Sequence, residues 1–333
     1  MKTALVVTSI SPVNEVLRSL ASGAQSRGIP FFVIGDVSSP DEFELEGCDY
    51  YSVSRQPSTG FATAALVPTR SYARKNIGYL LAARAGASVI VETDDDNFPR
   101  EGFWAERSRG KTVPLLKQGG WVNVYRYFTD ALAWPRGFPL EQVQKPAPPF
   151  ERIPAADADC PIQQGLADEN PDVDAIYRLI LPLPLSFRTD RRIALGAGSW
   201  CPFNSQNTAT WRDAFPLLYM PAYCSIRMTD IWRSFVAQRI AWENGWSILF
   251  HEPTVWQVRN DHNLLRDFRD EVPGYLHNQT ICDVLAGLTL NPGVEHCGGN
   301  LLRCYEALVR REFLEAKEMA LVEAWLADLA QAT

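Results

Sequence analysis

The sequence predicts an α/β fold: a mostly parallel sheet flanked by helices, with a C-terminal helical appendage. Three observations predict it. Short apolar runs (Ala4–Thr8, Pro30–Ile34, Ser88–Glu92) alternate with segments of helical period. Each run ends in a polar cluster: Thr8-Ser9, Gly35-Asp36 and Asp94-Asp95-Asp96. The stretch Leu301–Ala330 is dense in Leu, Ala and Glu, which suits helices.

Taken in order, Ala4–Thr8 is a continuous apolar run suited to a strand buried on both faces. Asn14–Gly28 places Val16, Leu17, Leu20 and Ala21 at helical spacing and stops at a glycine. Pro30–Ile34 is a second buried strand, Ser71–Ala85 a helix ended by Gly86, and Ser88–Glu92 a third strand. Ligands of such β-α-β arrangements sit at the carboxyl ends of the strands. Residues 134–160, rich in proline, read as a long ordered loop. Residues 228–244 are expected to form an amphipathic helix with Ile231, Trp232, Phe235, Val236 and Ile240 on one face.

The 333 residues suit one large α/β domain with an appended helical part, or two domains. Hydrophobic residues at 46% supply a core, and charged residues at 21% argue against global disorder. A net charge of −7 argues against nucleic acid as the partner. The seven cysteines are odd in number, scattered and without a CxxC pair, so reduced thiols are expected. The apolar run after Met1-Lys2 is too short for a signal peptide, and no stretch approaches the roughly 20 residues of a membrane span. A cytoplasmic protein, with at most peripheral membrane contact, is the expectation. Ten tryptophans suit either ordinary packing or sugar-stacking faces.

Three adjacent carboxylates at a strand end repel one another, and a divalent cation relieves them. Mg²⁺ and Mn²⁺ accept carboxylate and phosphate oxygens together, so Asp94-Asp95-Asp96 suits a metal-bound diphosphate. Arg74 and Lys75 are adjacent cations at a helix start, where the helix dipole favours acids. A diphosphate would give them a reason to be there; solvated surface cations are the plain alternative. Asn76 and Gly78 on the same apolar face favour the functional option.

These stretches resemble the STELLO-type glycosyltransferases. The likeness rests on Thr8-Ser9-Ile10, Gly35-Asp36, Tyr72 to Tyr79 and Glu92 to Asn97. It continues through Ile162 to Asp168, Asp172 to Ala175, Pro202 to Thr208, Asp230 to Ser234 and Ala237 to Arg239, covering roughly residues 3 to 268. The Gly-Leu, Asp-x-Asp-Ala and Asp-x-Trp elements are more distantly similar to the reversibly glycosylated polypeptides, the UDP-arabinopyranose mutases. Both likenesses imply a GT-A fold with a Rossmann-like nucleotide half and a DxD metal site. The expected division is 1–268 for the glycosyltransferase domain, its nucleotide half about 1–130 and its acceptor half about 131–268. A C-terminal helical region would then span 269–333.

From the resemblance and the chemistry together, Thr8, Ser9 and Asp36 are expected at base and ribose, and Arg74 at phosphate, with Lys75 and Asn76 beside it. Asp94 would hold ribose or sugar hydroxyls and also serve the metal. Asp96 would be the main ligand of Mn²⁺ or Mg²⁺, and Asp95 a second ligand or a sugar contact. His262 is the candidate third ligand, with His251 an alternative; a lone histidine is more often structural. Asp230 is the candidate catalytic base, although an N-cap would equally explain an Asp ahead of a helix. Trp200, Trp232, Asn204, Gln206 and Asn207 are candidates for sugar contacts; a turn equally explains the polar three, and Trp232 also suits the core side of its helix. The implied reaction moves a sugar from a nucleotide donor, a UDP-sugar, to a carbohydrate hydroxyl. The competing classes are a nucleotide-sugar mutase or self-glycosylating protein, and a non-catalytic glycosyltransferase-like scaffold.

Overall fold

The computed structural model describes residues 2–40, 42–260 and 262–333. The chain opens with β1 (Thr3–Thr8), α1 (Glu15–Gln25), β2 (Phe31–Ile34), β3 (Asp49–Tyr51), α2 (Ala62–Leu66) and α3 (Lys75–Arg84). Then come β4 (Val89–Thr93), β5 (Asn97–Pro99), β6 (Gly110–Leu116), β7 (Gly120–Trp121), β8 (Ala155–Asp159) and β9 (Ile162–Asp168). α4 (Ala175–Ile180), β10 (Arg192–Leu195), β11 (Ser199–Trp200), β12 (Asn207–Trp211), α5 (Thr229–Glu243) and β13 (Ile248–Gln257) follow. Three helices end the chain: α6 (Leu264–Ala286), α7 (Cys297–Arg310) and α8 (Glu318–Ala332).

The main sheet has the order β3-β2-β1-β4-β12-β9-β13-β10-β6-β8, with β5 added alongside β13. Its first four strands are parallel, as the alternating pattern predicts. Beyond β4 the sheet is mixed: β12 runs antiparallel to both β4 and β9, and β13 is parallel to β9. The carboxyl ends of β1, β2, β4, β9 and β13 and the amino end of β12 therefore share one edge of the sheet.

Both faces of the parallel half are covered, which is why its strands read as unbroken apolar runs. Side chains alternate across β1. Leu5 and Val7 pack with Val16, Leu17 and Leu20 of α1, whereas Ala4 and Val6 pack with Ile77, Leu80 and Leu81 of α3. Gly78 is explained by that second contact. A Cβ there would lie 2.5 Å from Val6 Cγ1, so glycine lets α3 approach the strand. The expected 14–28 helix is α1, capped by Asn14, whose side-chain Oδ1 accepts from the Leu17 backbone amide. The expected 71–85 helix starts as a 3-10 turn at Tyr72–Arg74 before α3.

α5 departs from the one-faced helix expected over 228–244. Every residue from Thr229 to Ala241 is buried, polar ones included, because sheet, loops and the C-terminal helices surround it. Arg233 forms a buried ion pair with Glu92 of β4 at 2.9 Å and so ties this helix to the strand carrying the aspartate triplet. The Leu301–Ala330 stretch is two helices, α7 and α8, with Glu312 in the left-handed region between them. These helices are less an appendage than a wall of the core. Val322 and Trp325 join the cluster that holds Ile77 and Leu80, and Asp328 accepts from the Ala62 and Thr63 amides at the start of α2. The expected 268/269 division falls inside the single helix α6. Residues 134–160 carry only short 3-10 turns before β8, with Trp134 and Phe138 buried. All seven cysteines are free. Among the described residues, no helix is long and apolar enough to cross a membrane.

Candidate active site

The site is assembled at the shared edge. β1 delivers Thr8 and Ser9, β4 delivers the triplet, the turn before α3 delivers Tyr72 and Lys75, and the segment before β12 delivers Asn204 to Asn207. β13 and the residues after it close the side: Gln257 Nε2 donates to Asp96 at 2.9 Å, and Asn260 Nδ2 lies 3.5 Å from Asp95.

The three carboxylates are held apart by different partners. Asp94 accepts from the Tyr72 hydroxyl at 2.6 Å and pairs with the Lys75 ammonium at 3.1 Å. Asp95 accepts from the Ser9 hydroxyl at 2.5 Å, and its backbone carbonyl accepts from the Asn14 amide. Asp96 accepts from Gln257 and Asn97. Burial, reinforced by the charge of Asp94, pushes the Asp96 carboxyl up to about 7. Burial also raises Asp95, against the hydrogen bonds from Ser9 and Ser11 that favour its charged form. Among the described residues no three or more His, Cys, Asp or Glu side chains are grouped so as to hold a metal ion alone.

From Asp94 a chain of hydrogen bonds runs inward. The Tyr72 hydroxyl also meets the Ser205 hydroxyl at 2.7 Å, and Ser205 lies 3.3 Å from Asp230 by both its amide and its hydroxyl. Burial, then the Asp94 charge, raises the Tyr72 phenol well above its ordinary range, so it stays a neutral link. Asp230 also accepts from Arg136 with both oxygens, at 3.1 and 2.9 Å, and Arg136 grips Asp172 at 2.7 and 2.8 Å.

The structure reassigns several expected site residues. Arg74 does not open toward the edge: it is buried, with donors on Gln56 and on the Val67 and Pro68 carbonyls. Burial lowers its proton affinity. Asn76 is buried and bonds both ways with the Met220 backbone. Asp36 accepts from the Val37 and Ser71 amides, which shapes the turn into α3. Asp230 lies in the first turn of α5 without capping it, and its oxygens are enclosed rather than directed to an acceptor. Trp200 packs with Trp121, Phe235 and Trp242, and Trp232 donates to Asn278, so both indoles serve the core. Asn204 orders its own turn by accepting from the Gln206 amide, and Asn207 donates to Leu166 and Thr254. Gln206 is buried beside them. His262 Nδ1 faces Asp267 at 3.1 Å, and His251 lies within β13, where burial pushes its ring down to about 4. Thr8, Ser9, Lys75, Asp94, Asp95 and Asp96 do come together.

Sequence reasoning gave no role to Tyr72, Ser205, Arg136, Gln257 or Asn260. Tyr72 and Ser205 stood inside quoted motifs, but nothing in their spacing marks a hydrogen bond across 133 residues. A cavity of about 700 Å³ lies at the opposite edge of the sheet, lined by Lys2, Arg27, Trp104 and Arg107. It does not reach the triplet.

A sequence model of the STELLO glycosyltransferases matches residues 227–333. "Probable glycosyltransferase STELLO1" of Arabidopsis thaliana is 29% identical over 269 residues, covering 75% of this chain and 34% of that protein. "Probable glycosyltransferase STELLO2" of the same plant is 27% identical over 351 residues, covering 98% and 44%. The chain thus spans less than half the length of either relative. A solved structure titled "Crystal Structure of a Mycobacterial Protein" is similar over 86% of this chain and 75% of that one, at 10% identity and a TM-score of 0.42, too remote to inform function.

Proposed function

We propose that this chain, which is similar to the STELLO glycosyltransferases, is a GT-A enzyme of that type that moves a sugar from a UDP-sugar to a carbohydrate hydroxyl with a divalent cation at Asp96. The observation that carries this reading is the aspartate triplet at the carboxyl end of β4, with Asp95 and Asp96 buried and Asp96 pushed up to about 7. A carboxylate in that state favours a cation at neutral pH. The donor set also fits: Mg²⁺ and Mn²⁺ take oxygen ligands, and Mg²⁺ is usually bound through one or two carboxylates plus substrate phosphates rather than by an all-protein cage. Asp96 is the main ligand and Asp95 the second. The bound cation would offset the negative charge that develops on the departing diphosphate.

The chain's own residues supply the rest. Ser9 holds Asp95 in place, and the buried Thr8 hydroxyl, which has no partner among the described residues, is ready to bond the nucleoside. Lys75 and Tyr72 fix Asp94, leaving its other oxygen for donor hydroxyls. Asp230 anchors Arg136 and Ser205 behind this wall.

Calorimetric titration of UDP with Mn²⁺ and then with EDTA tests the reading, followed by a donor screen that records nucleotide release. Binding that needs Mn²⁺ and turnover of UDP-sugars are expected. UDP binding of equal strength in EDTA would overturn the metal's part, and no UDP binding at all would overturn the donor's.

A further inference from the structure

Resting on that reading, the donor phosphates need cationic partners, and neither sequence candidate is available to them. Arg74 is buried on Gln56 and Lys75 is committed to Asp94. We infer that Arg178, Arg227 and Arg259 form the wall that contacts the donor diphosphate.

Three elements bring these arginines to the Asp96 side of the triplet. Arg259 sits between residues that touch the triplet: the Val258 amide donates to the Asp96 carbonyl at 3.0 Å, and Asn260 reaches Asp95. Arg178, in the last turn of α4, donates to Asn170 at 3.3 Å. Asn170 donates to the Gln257 carbonyl at 3.4 Å, and Gln257 holds Asp96. Arg227 lies just before α5, and its carbonyl accepts from Arg136, the partner of Asp230.

Each guanidinium has five N–H donors, and much of that capacity is unused. Arg259 bonds Asp267 at 2.7 Å, while its buried Nε has no partner among the described residues. Arg227 meets Glu271 Oε1 through Nε and Nη2, at 3.0 and 2.8 Å. Arg178 bonds only the Val173 and Pro171 carbonyls and Asn170, and has no carboxylate partner among the described residues. Asp172 and Glu271 lie near enough to favour its charge without bonding it, which leaves its donors open. The Arg227 and Arg259 side chains keep 18% and 12% of their surface exposed, so a ligand at the edge can reach them. Neighbouring guanidiniums disfavour the charges of Arg178 and Arg259. Burial, then Arg259, holds Arg178 down at about 9; burial, then Arg227, lowers Arg259. Massed guanidiniums of this kind are matched by an anion with several oxygens, and bidentate phosphate contacts suit their planar fork.

The test is UDP titration with Mn²⁺ on the full chain, on Arg178→Gln and on Arg259→Gln, with thermal melting of each. UDP binding at least tenfold weaker in folded glutamine variants is expected. A folded variant binding UDP within twofold of the parent overturns the inference. Should a glutamine variant fail to fold, Arg178→Lys and Arg259→Lys decide. Binding weakened threefold or more, through loss of the bidentate contact, supports the wall, and unchanged binding overturns it. A parent chain that does not bind UDP overturns the proposed function instead, so the two failures are distinct.

Discussion

The Lys75 ammonium is fully buried and sits 3.1 Å from Asp94, the most exposed member of the triplet, while also donating to the Thr93 carbonyl at 2.9 Å. Lys75 is therefore the internal counter-charge of the site and braces the strand end that carries the acids. A lysine so enclosed is tolerated because its donors are satisfied by Tyr72, Thr93, Asp94 and Ser205.

Removing one member of this pair leaves the other short of a partner. Lys75→Met is expected to destabilise the fold by about 2 kcal/mol, below the full range for buried pairs because Asp94 keeps solvent contact. The double variant with Asp94→Asn should be less destabilised than the sum of the singles, by about 1 kcal/mol. Urea unfolding of the four proteins checks this, and strict additivity would show that the pair is not coupled.

Asp96 makes the stability of the metal-free protein depend on pH. Its folded pKa is raised from 3.8 to about 7, so the folded chain holds the proton where the unfolded chain has released it. Stability from this group is present below the unfolded value and declines as pH rises toward 7. A divalent cation should restore it at pH 7.5. Asp96→Asn should be as stable as the metal-free parent at pH 7.5, or more so by about 1 kcal/mol, and should lose the Mn²⁺-induced rise in Tm. Melting curves from pH 5 to 8, with and without Mn²⁺, give the answer; a parent Tm insensitive to Mn²⁺ throughout would refute it.

Arg74 separates a strut from a phosphate ligand. Its hydrogen bonds to Gln56 and two carbonyls lie inside the fold, so Arg74→Met should lower stability by about 2 kcal/mol through the lost charged hydrogen bonds. UDP affinity should stay within twofold. A large loss of affinity in a protein of unchanged stability would return Arg74 to the phosphate.

Asp230 is decided in the same way. As the anchor of Arg136, its conversion to Asn leaves a buried guanidinium with one carboxylate, Asp172, where it had two. We expect Asp230→Asn to lower Tm, with kcat reduced by no more than about tenfold. Loss of turnover by a factor of a thousand or more, with donor binding and Tm intact, would instead mark it as the general base.

The sequence was most legible where one periodicity dominated. β1, β2 and β4 are short apolar runs because each is covered on both faces, and the polar residue ending each run falls at a strand end whichever helix follows. It was least legible where burial overrode pattern. α5 is apolar on one face in the sequence, yet its polar face is also enclosed, because Glu92 and the Leu285 carbonyl receive Arg233 and Arg239. The burial of Arg74 and Trp200 is illegible for a related reason: a cation or an indole looks alike in sequence whether it faces a ligand or fills a core.

By itself, the chain's order of apolar runs, helical segments and strand-end acids determined an α/β sheet with Thr8, Ser9 and the aspartate triplet at one edge, since strand direction and side-chain alternation are local properties. The tertiary structure decided which charges meet there. Lys75 turns inward to Asp94 while Arg74, its neighbour, turns to Gln56; Arg178, Arg227 and Arg259 arrive from three separate elements. Those choices depend on which partners survive desolvation, and desolvation is set by packing among residues far apart in the chain.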